Sequence, residues 1–232
     1  MRTTSIRISS RNIQNRFATE NQLVELFEAV APILNKGFES VLEFESSNGI
    51  ADIAFYKLRK DWKSNSKLGE IHPRWVYALT QLPYRKKFSA SEFAELTGAS
   101  KQTVLNVLKS YESAGYCEHT SPSDWIKNKQ PKLVANKVYA VEAKLKDWKR
   151  ALKQAFRYKD YANRSWVVMD EKHINPARKN LSMFQALGVG LASISTEGQL
   201  QKLWVPDEEI PKLPVSQWYA NAVIARQATV NG

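Results

Sequence analysis

The chain has one cysteine, Cys117, in 232 residues. An internal disulfide is excluded, as is a zinc centre built on cysteine pairs, and Cys117 reads as a small buried hydrophobe. Histidine is scarce too: His72, His119 and His173 lie without ligand spacing and read as surface or turn residues. No apolar run approaches the ~20 residues that span a bilayer. The stretch from Met1 to Asn15 is polar and basic without a hydrophobic segment, so it does not read as a secretory signal. Repeats and low-complexity tracts are also missing. These absences predict a cytoplasmic protein that holds itself together by an ordinary packed core, with no membrane partner.

What is present is an excess of positive charge. Thirty-four Lys and Arg stand against 23 Asp and Glu, a formal net charge of +11, while 43% hydrophobic residues make a core readily affordable. Such a balance attracts polyanions, of which nucleic acid is the commonest, although a solvated basic surface would give the same count.

Along the chain, Thr19 and Gln22 have the form of a capping box, and Leu23, Leu26, Phe27, Val30 and Ile33 follow at helical spacing. The helix should end at Asn35 to Gly37. Val41 to Glu45 and Ile50 to Phe55 read as two strands around the turn Ser46 to Gly49, with Glu43 and Glu45 on the solvent face. Lys57 to Gly69 is charged and polar, a plausible boundary. From Ile71 the pattern becomes helical. Trp75, Val76, Leu79 and Leu82 mark a first helix. Ser89 and Glu92 form a second capping box, opening a short helix with Phe93 and Leu96 inward. Thr97-Gly98-Ala99 turns the chain, and Ser100 caps a longer helix carrying Val104, Leu108 and Tyr111. Two strands follow, Tyr116 to Thr120 and Leu133 to Tyr139, around a polar loop with Lys127, Lys129 and Lys132.

Helix, short helix, glycine-containing turn, longer helix and hairpin, in that order, resemble a winged helix-turn-helix over Ile71 to about Ala135. The resemblance implies that the polar start of the longer helix, Ser100, Lys101, Gln102 and Thr103, reaches bases and phosphates of double-stranded DNA. Lys127, Lys129 and Lys132 would then reach the adjacent backbone. A three-helix packing module that binds protein shares the same pattern.

Beyond it, Val138 to Leu145 is an apolar strand with Glu142 and Lys144 two apart and so on one face. The next helix, roughly Asp147 to Ala162, buries Trp148, Leu152 and Ala155 and puts Gln154 and Tyr158 one turn apart. Upstream, Asp52 interrupts an apolar strand, where a carboxylate is costly without a cation. A surface ion pair would explain Glu142 and Lys144 equally well.

Ile50-Ala51-Asp52 followed by Val141-Glu142-Ala143-Lys144 resembles the Asp…Glu-X-Lys signature of the PD-(D/E)XK, or restriction-endonuclease-like, nucleases. Glu20-Asn21-Gln22-Leu23-Val24 looks like the helical glutamate motif of the Holliday-junction-resolvase branch, with Glu25 and Glu28 as alternatives. Gln154 and Tyr158 match the Gln-X-X-X-Tyr pattern of the RecB-like branch. Trp166 to Met169 and Leu187 to Ile194 resemble the last core strands. Ala51 stands where the motif has proline. The resemblance spans Ala18 to about Pro206. It implies an α/β fold, a mixed sheet flanked by helices, formed by residues 1–69 and 136–232, with a winged-helix insertion at 70–135.

The resemblance further implies a metal-dependent deoxyribonuclease, in restriction, defence, repair or a mobile element. Asp52, Glu142 and Glu20 would bind Mg²⁺ or Mn²⁺. Lys144 would hold the scissile phosphate or the attacking water, while Gln154 and Tyr158 position DNA or Lys144. The rival expectation is a DNA-binding regulator or assembly protein with an inactive nuclease-like domain. One constellation per chain cuts one strand per encounter, so a homodimer or successive nicks are expected, with or without partner proteins of a larger system. The apolar segment holding Leu203, Trp204, Val205, Trp218, Tyr219, Val223 and Ile224 is open to two readings, a dimer interface or packing over the core sheet. Gly188-X-Gly190 lacks the third glycine of a dinucleotide fingerprint and reads as close packing. Trp148, Trp166 and Trp204 read as core.

Overall fold

The computed structural model describes residues 17–31, 37–121 and 123–231. Ile33 and the expected helix end at Asn35 and Lys36 lie outside them. The chain divides into two units: Met1–Lys57 with Lys137–Lys212, and Leu58–Asn136 with Leu213–Gly232. The expected division put 58–69 and 213–232 with the first unit; their contacts group them with the second.

The first unit opens with helix α1, Glu20–Val30, where Thr19 accepts from the Gln22 N–H at 3.3 Å. Gln22 answers one residue early, its Oε1 accepting from Ala18 N at 2.9 Å. Strands β1 (Glu39–Ser46) and β2 (Gly49–Leu58) form an antiparallel hairpin. Ser46 closes its turn by donating to the Gly49 carbonyl at 2.7 Å. Strand β6, Ala135–Lys144, lies beside β2, and helix α5, Trp148–Tyr158, returns the chain to β7, Arg164–Asp170. Two short helices, α6 (Asn175–Lys179) and α7 (Leu181–Leu187), lead to β8 (Gly190–Ile194) and then β9 (Leu200–Trp204). The six strands run β1-β2-β6-β7-β8-β9, with β6, β7 and β8 parallel and the outer pairs β1/β2 and β8/β9 antiparallel. The mixed α/β sheet is as the sequence implied.

Alternation in β6 divides the two faces. Tyr139, Val141 and Ala143 join Leu23 and Phe27 of α1, Ile53 and Phe55 of β2, and Val168 and Ala192 in one apolar cluster. Glu142, between them, points to the side of α5 and meets Tyr158. Gly190 stands opposite Trp166 in the parallel register, and a Cβ there would run into the indole ring. Trp148 is buried, whereas Trp166 and Trp204 are half-buried. Leu187 ends α7 rather than belonging to a strand.

The second unit holds a 3-10 segment Trp62–Glu70, α2 (Pro73–Gln81), β3 (Lys87–Ser89), α3 (Ala90–Thr97), α4 (Lys101–Ser113), β4 (Cys117–Ser121), β5 (Asp124–Lys127) and α8 (Pro214–Asn231). The capping box at Ser89 is complete: Ser89 Oγ accepts from Glu92 N at 3.2 Å and Glu92 Oε2 accepts from Ser89 N at 2.6 Å. Gly98 ends α3 at φ +67°, a conformation a Cβ would strain. Val76, Leu79, Phe93, Val104, Leu108 and Tyr111 are buried, and the Tyr111 hydroxyl donates to the Trp75 carbonyl at 2.6 Å. Leu96 is 52% exposed, contrary to its expected inward place. The hairpin also differs: β4 pairs antiparallel with β5, β5 with β3, and residues 135–144 form one strand of the large sheet. Asp124-Trp125-Ile126-Lys127 is too short and too polar to have read as a strand. Trp218, Val223 and Ile224, open to reading as a dimer interface or as packing over the core sheet, lie on α8, which packs on Trp62–Glu70 and α2 within this unit. Among the described residues no helix is long and apolar enough to cross a membrane.

Candidate active site

Four charged side chains from three elements converge at one end of the first unit's sheet. Lys144, at the end of β6, places its ammonium 3.0 Å from Glu142 Oε1, 3.1 Å from Glu20 Oε2 and 3.8 Å from Asp52 Oδ2. Asp52 comes from β2, where the strand turns Ile53 and Phe55 into the core and this carboxylate to the other face. Its Oδ2 accepts from the Ala143 backbone N–H at 2.6 Å, so the neighbouring strand itself orients it. Glu142 is almost wholly buried, and its Oε2 accepts from the Tyr158 hydroxyl at 2.5 Å. The same hydroxyl lies 2.8 Å from the Ile50 carbonyl. Of the three acids on α1, Glu20 is the one paired with Lys144; Glu28 accepts from Ser40 Oγ at 2.9 Å, and Glu25 is exposed.

Burial holds the Glu142 carboxyl above its ordinary range. The Tyr158 hydroxyl and Lys144 oppose that rise and Asp52 adds to it. Burial likewise raises Asp52, against the Ala143 N–H and Lys144 and with the help of Glu20. For Lys144, burial works against the charge, but Glu142, Asp52 and Glu20 outweigh it and raise the pKa. Three carboxylates stand around one ammonium, and burial, with a smaller part from the neighbouring acids, raises Asp52 and Glu142. Among the described residues, no three His, Cys, Asp or Glu side chains are placed to hold a metal ion, since Lys144 stands between the acids. Chemically, the set offers hard oxygen donors, the type that divalent cations such as Mg²⁺ or Mn²⁺ take.

Gln154 lies one turn before Tyr158 on α5, half-buried, with its Oε1 enclosed and without a hydrogen-bond partner among the described residues. One contributor escaped the sequence reading. The Ala143 N–H is a backbone group, for which no residue type could signal.

The residues expected to touch nucleic acid divide. Ser100, Lys101 and Gln102 are exposed at the start of α4 and Thr103 is half-buried; Ser100 Oγ accepts from Thr103 N at 3.3 Å. Ser100 and Thr103 line a groove of about 830 Å³ with Arg74, Trp75, Gln81 and Leu96. Lys127 does not fit its expected role. It is fully buried, and its ammonium donates to the carbonyls of Leu79 at 3.2 Å and Thr80 at 3.4 Å, at the end of α2. Lys129 folds back to donate to the Ser64 carbonyl and lies 5.2 Å over the Tyr116 ring. Lys132 is exposed, 3.8 Å from Asp61. No protein-family model, curated protein or solved structure matches this chain.

Proposed function

We propose that this chain is a divalent-metal-dependent endonuclease acting on duplex DNA, of the restriction-endonuclease-like kind, with its second unit serving as a winged helix-turn-helix. The observation that carries the reading is the Lys144 ammonium gathered among Glu20, Asp52 and Glu142, which lie up to 124 residues away in sequence. A surface ion pair does not need a third acid, a buried partner and a tyrosine holding it.

Asp52 and Glu142, supported by Glu20, would hold Mg²⁺ or Mn²⁺. A divalent cation there supplies charge for the scissile phosphate and a water of lowered pKa. The chain's own residues do the rest. Lys144 leaves the carboxylates to hold a phosphate oxygen or the attacking water. Tyr158 fixes Glu142, and the Ala143 N–H fixes Asp52, so the acids need no reorganisation when substrate arrives. Gln154 and Tyr158 are positioning residues. The exposed start of α4 meets the duplex, and a homodimer would bring one site to each strand.

The second reading, a DNA-binding regulator or assembly protein with an inactive nuclease-like unit, gains from Lys144 standing between the acids. Supercoiled plasmid separates the two. The enzyme nicks or cuts it with Mg²⁺ or Mn²⁺, and Glu142→Ala slows this by about 100-fold or more without loss of DNA affinity. A wild-type chain inert on every DNA form with both metals is the regulator.

A further inference from the structure

From the α2–β3 connection into the first residue of β3 the chain reads Tyr84-Arg85-Lys86-Lys87, and all four residues are exposed. Among the described residues none of these three cations has a carboxylate partner. A run of like charge on a loose loop is ordinarily a solvated surface. This one is fixed from inside. Arg85 sits at φ +56°, in the left-handed region that a residue with a Cβ adopts only when its surroundings impose it. Its N–H donates to the Lys127 carbonyl at 3.0 Å, and Tyr84 forms a strand-like bridge to the same residue. The ammonium of Lys127 takes the Leu79 and Thr80 carbonyls, so one buried lysine ties down both the exit of α2 and the turn that follows. The Arg85 guanidinium lies 5.1 Å over the Tyr84 ring, which orders it in the open. Nothing in the core uses the three cations, yet the backbone that carries them is anchored and strained.

We propose that residues 84–87 form a preset grip for the phosphate backbone of duplex DNA, an inference that rests on the DNA-binding reading above. Arg85, Lys86 and Lys87 each neutralise phosphate charge, and Tyr84 keeps Arg85 extended for it. The turn takes the place in binding that the lysines at 127, 129 and 132 were expected to fill.

The test compares full-length wild type with R85A/K86A/K87A on a labelled duplex over a range of salt, with divalent metal omitted so that cleavage does not intervene. Each lost phosphate contact removes about 0.9 from the slope of log affinity against log salt. The triple variant is expected to lose about 2 to 3 in slope and on the order of 100-fold in affinity at moderate salt. K129A/K132A keeps the slope to within about one unit, and the charge-retaining K86R/K87R binds as wild type does. Circular dichroism and the thermal transition confirm that each variant folds. An unchanged slope in the alanine variant, with wild type binding normally, overturns the grip and leaves the nuclease reading standing. Salt-dependent wild-type binding without cleavage in Mg²⁺ sinks the nuclease while the grip survives, and a wild type with no duplex affinity removes both.

Discussion

Tyr158 on α5 donates its hydroxyl to Glu142 on β6 across 2.5 Å, tying a helix on one face of the sheet to the most buried acid of the site. Tyr158→Phe leaves that carboxylate buried with one bond fewer. A hydrogen bond to a charged group contributes about 1.5–3 kcal/mol, so the cleavage rate should fall roughly 10- to 100-fold. Burial already raises Glu142 and the Tyr158 bond opposes it. Its loss should therefore move the acidic limb of the pH–rate profile to higher pH. An unaltered profile would show that the hydroxyl has no part in setting the acid.

The same acids make stability depend on pH and metal. Burial raises Asp52 and Glu142 above their ordinary 3.8 and 4.5. The native chain then holds protons that the unfolded chain has released, so this contribution favours folding in acid. It is lost as pH rises from those ordinary values through the raised ones. Metal-free protein at neutral pH carries the resulting penalty, and Glu142→Gln should melt higher there, with the difference closing in acid. Mg²⁺ should raise the wild-type melting temperature at neutral pH and leave the glutamine variant nearly unmoved. A ligand held only by the native state adds about 2.7 kcal/mol at a hundred times its Kd. Differential scanning calorimetry of both proteins at neutral pH, in acid, and at neutral pH with Mg²⁺ reads all six conditions.

Lys127→Met keeps the length of the buried side chain and removes the donor that serves Leu79 and Thr80. Carbonyls left without a partner cost about 1–3 kcal/mol, and urea denaturation should record a loss of that size. A variant as stable as wild type would mean that water serves those carbonyls equally well.

Gly69 touches α8 so closely that a Cβ would lie 2.5 Å from Arg226 N and 2.8 Å from its Cα, both backbone atoms that cannot swing aside. Arg226 Nε also donates to the Gly69 carbonyl at 3.1 Å. Gly69→Ala should cost about 1–3 kcal/mol by overpacking, seen as a lower midpoint in denaturant. The proposed cleavage, which would use residues of the first unit, should survive wherever the chain remains folded.

Local rules made much of this legible. Thr19 and Gln22 marked the start of α1, Ser46 to Gly49 the hairpin turn, and period-two alternation put Glu142 and Lys144 on a common face. What escaped was decided at long range. Lys127 reads as a surface cation because its lysine stem gives no hint that the end of α2, 47 residues earlier, offers carbonyls to it. Leu96 fits a helical stripe but lines an open groove. The 3-10 segment Trp62–Glu70 looked like a linker because its apolar partners are on α8, far along the chain. Arg85 drew no notice because a run of basic residues shows nothing of its backbone angle.

The division of the chain also orders events in time. The second unit begins at Leu58, but its packing includes α8, which follows every strand of the first unit. As the polypeptide leaves the ribosome, β9 emerges before α8, so the sheet bearing Asp52 and Glu142 can close first. The 3-10 segment and α2 must wait, their apolar sides uncovered, for a helix more than 130 residues later. Pairing at that separation is slow and exposes apolar surface to neighbours. On the proposed reading, the acids and Lys144 would come together before the unit proposed to hold DNA is whole.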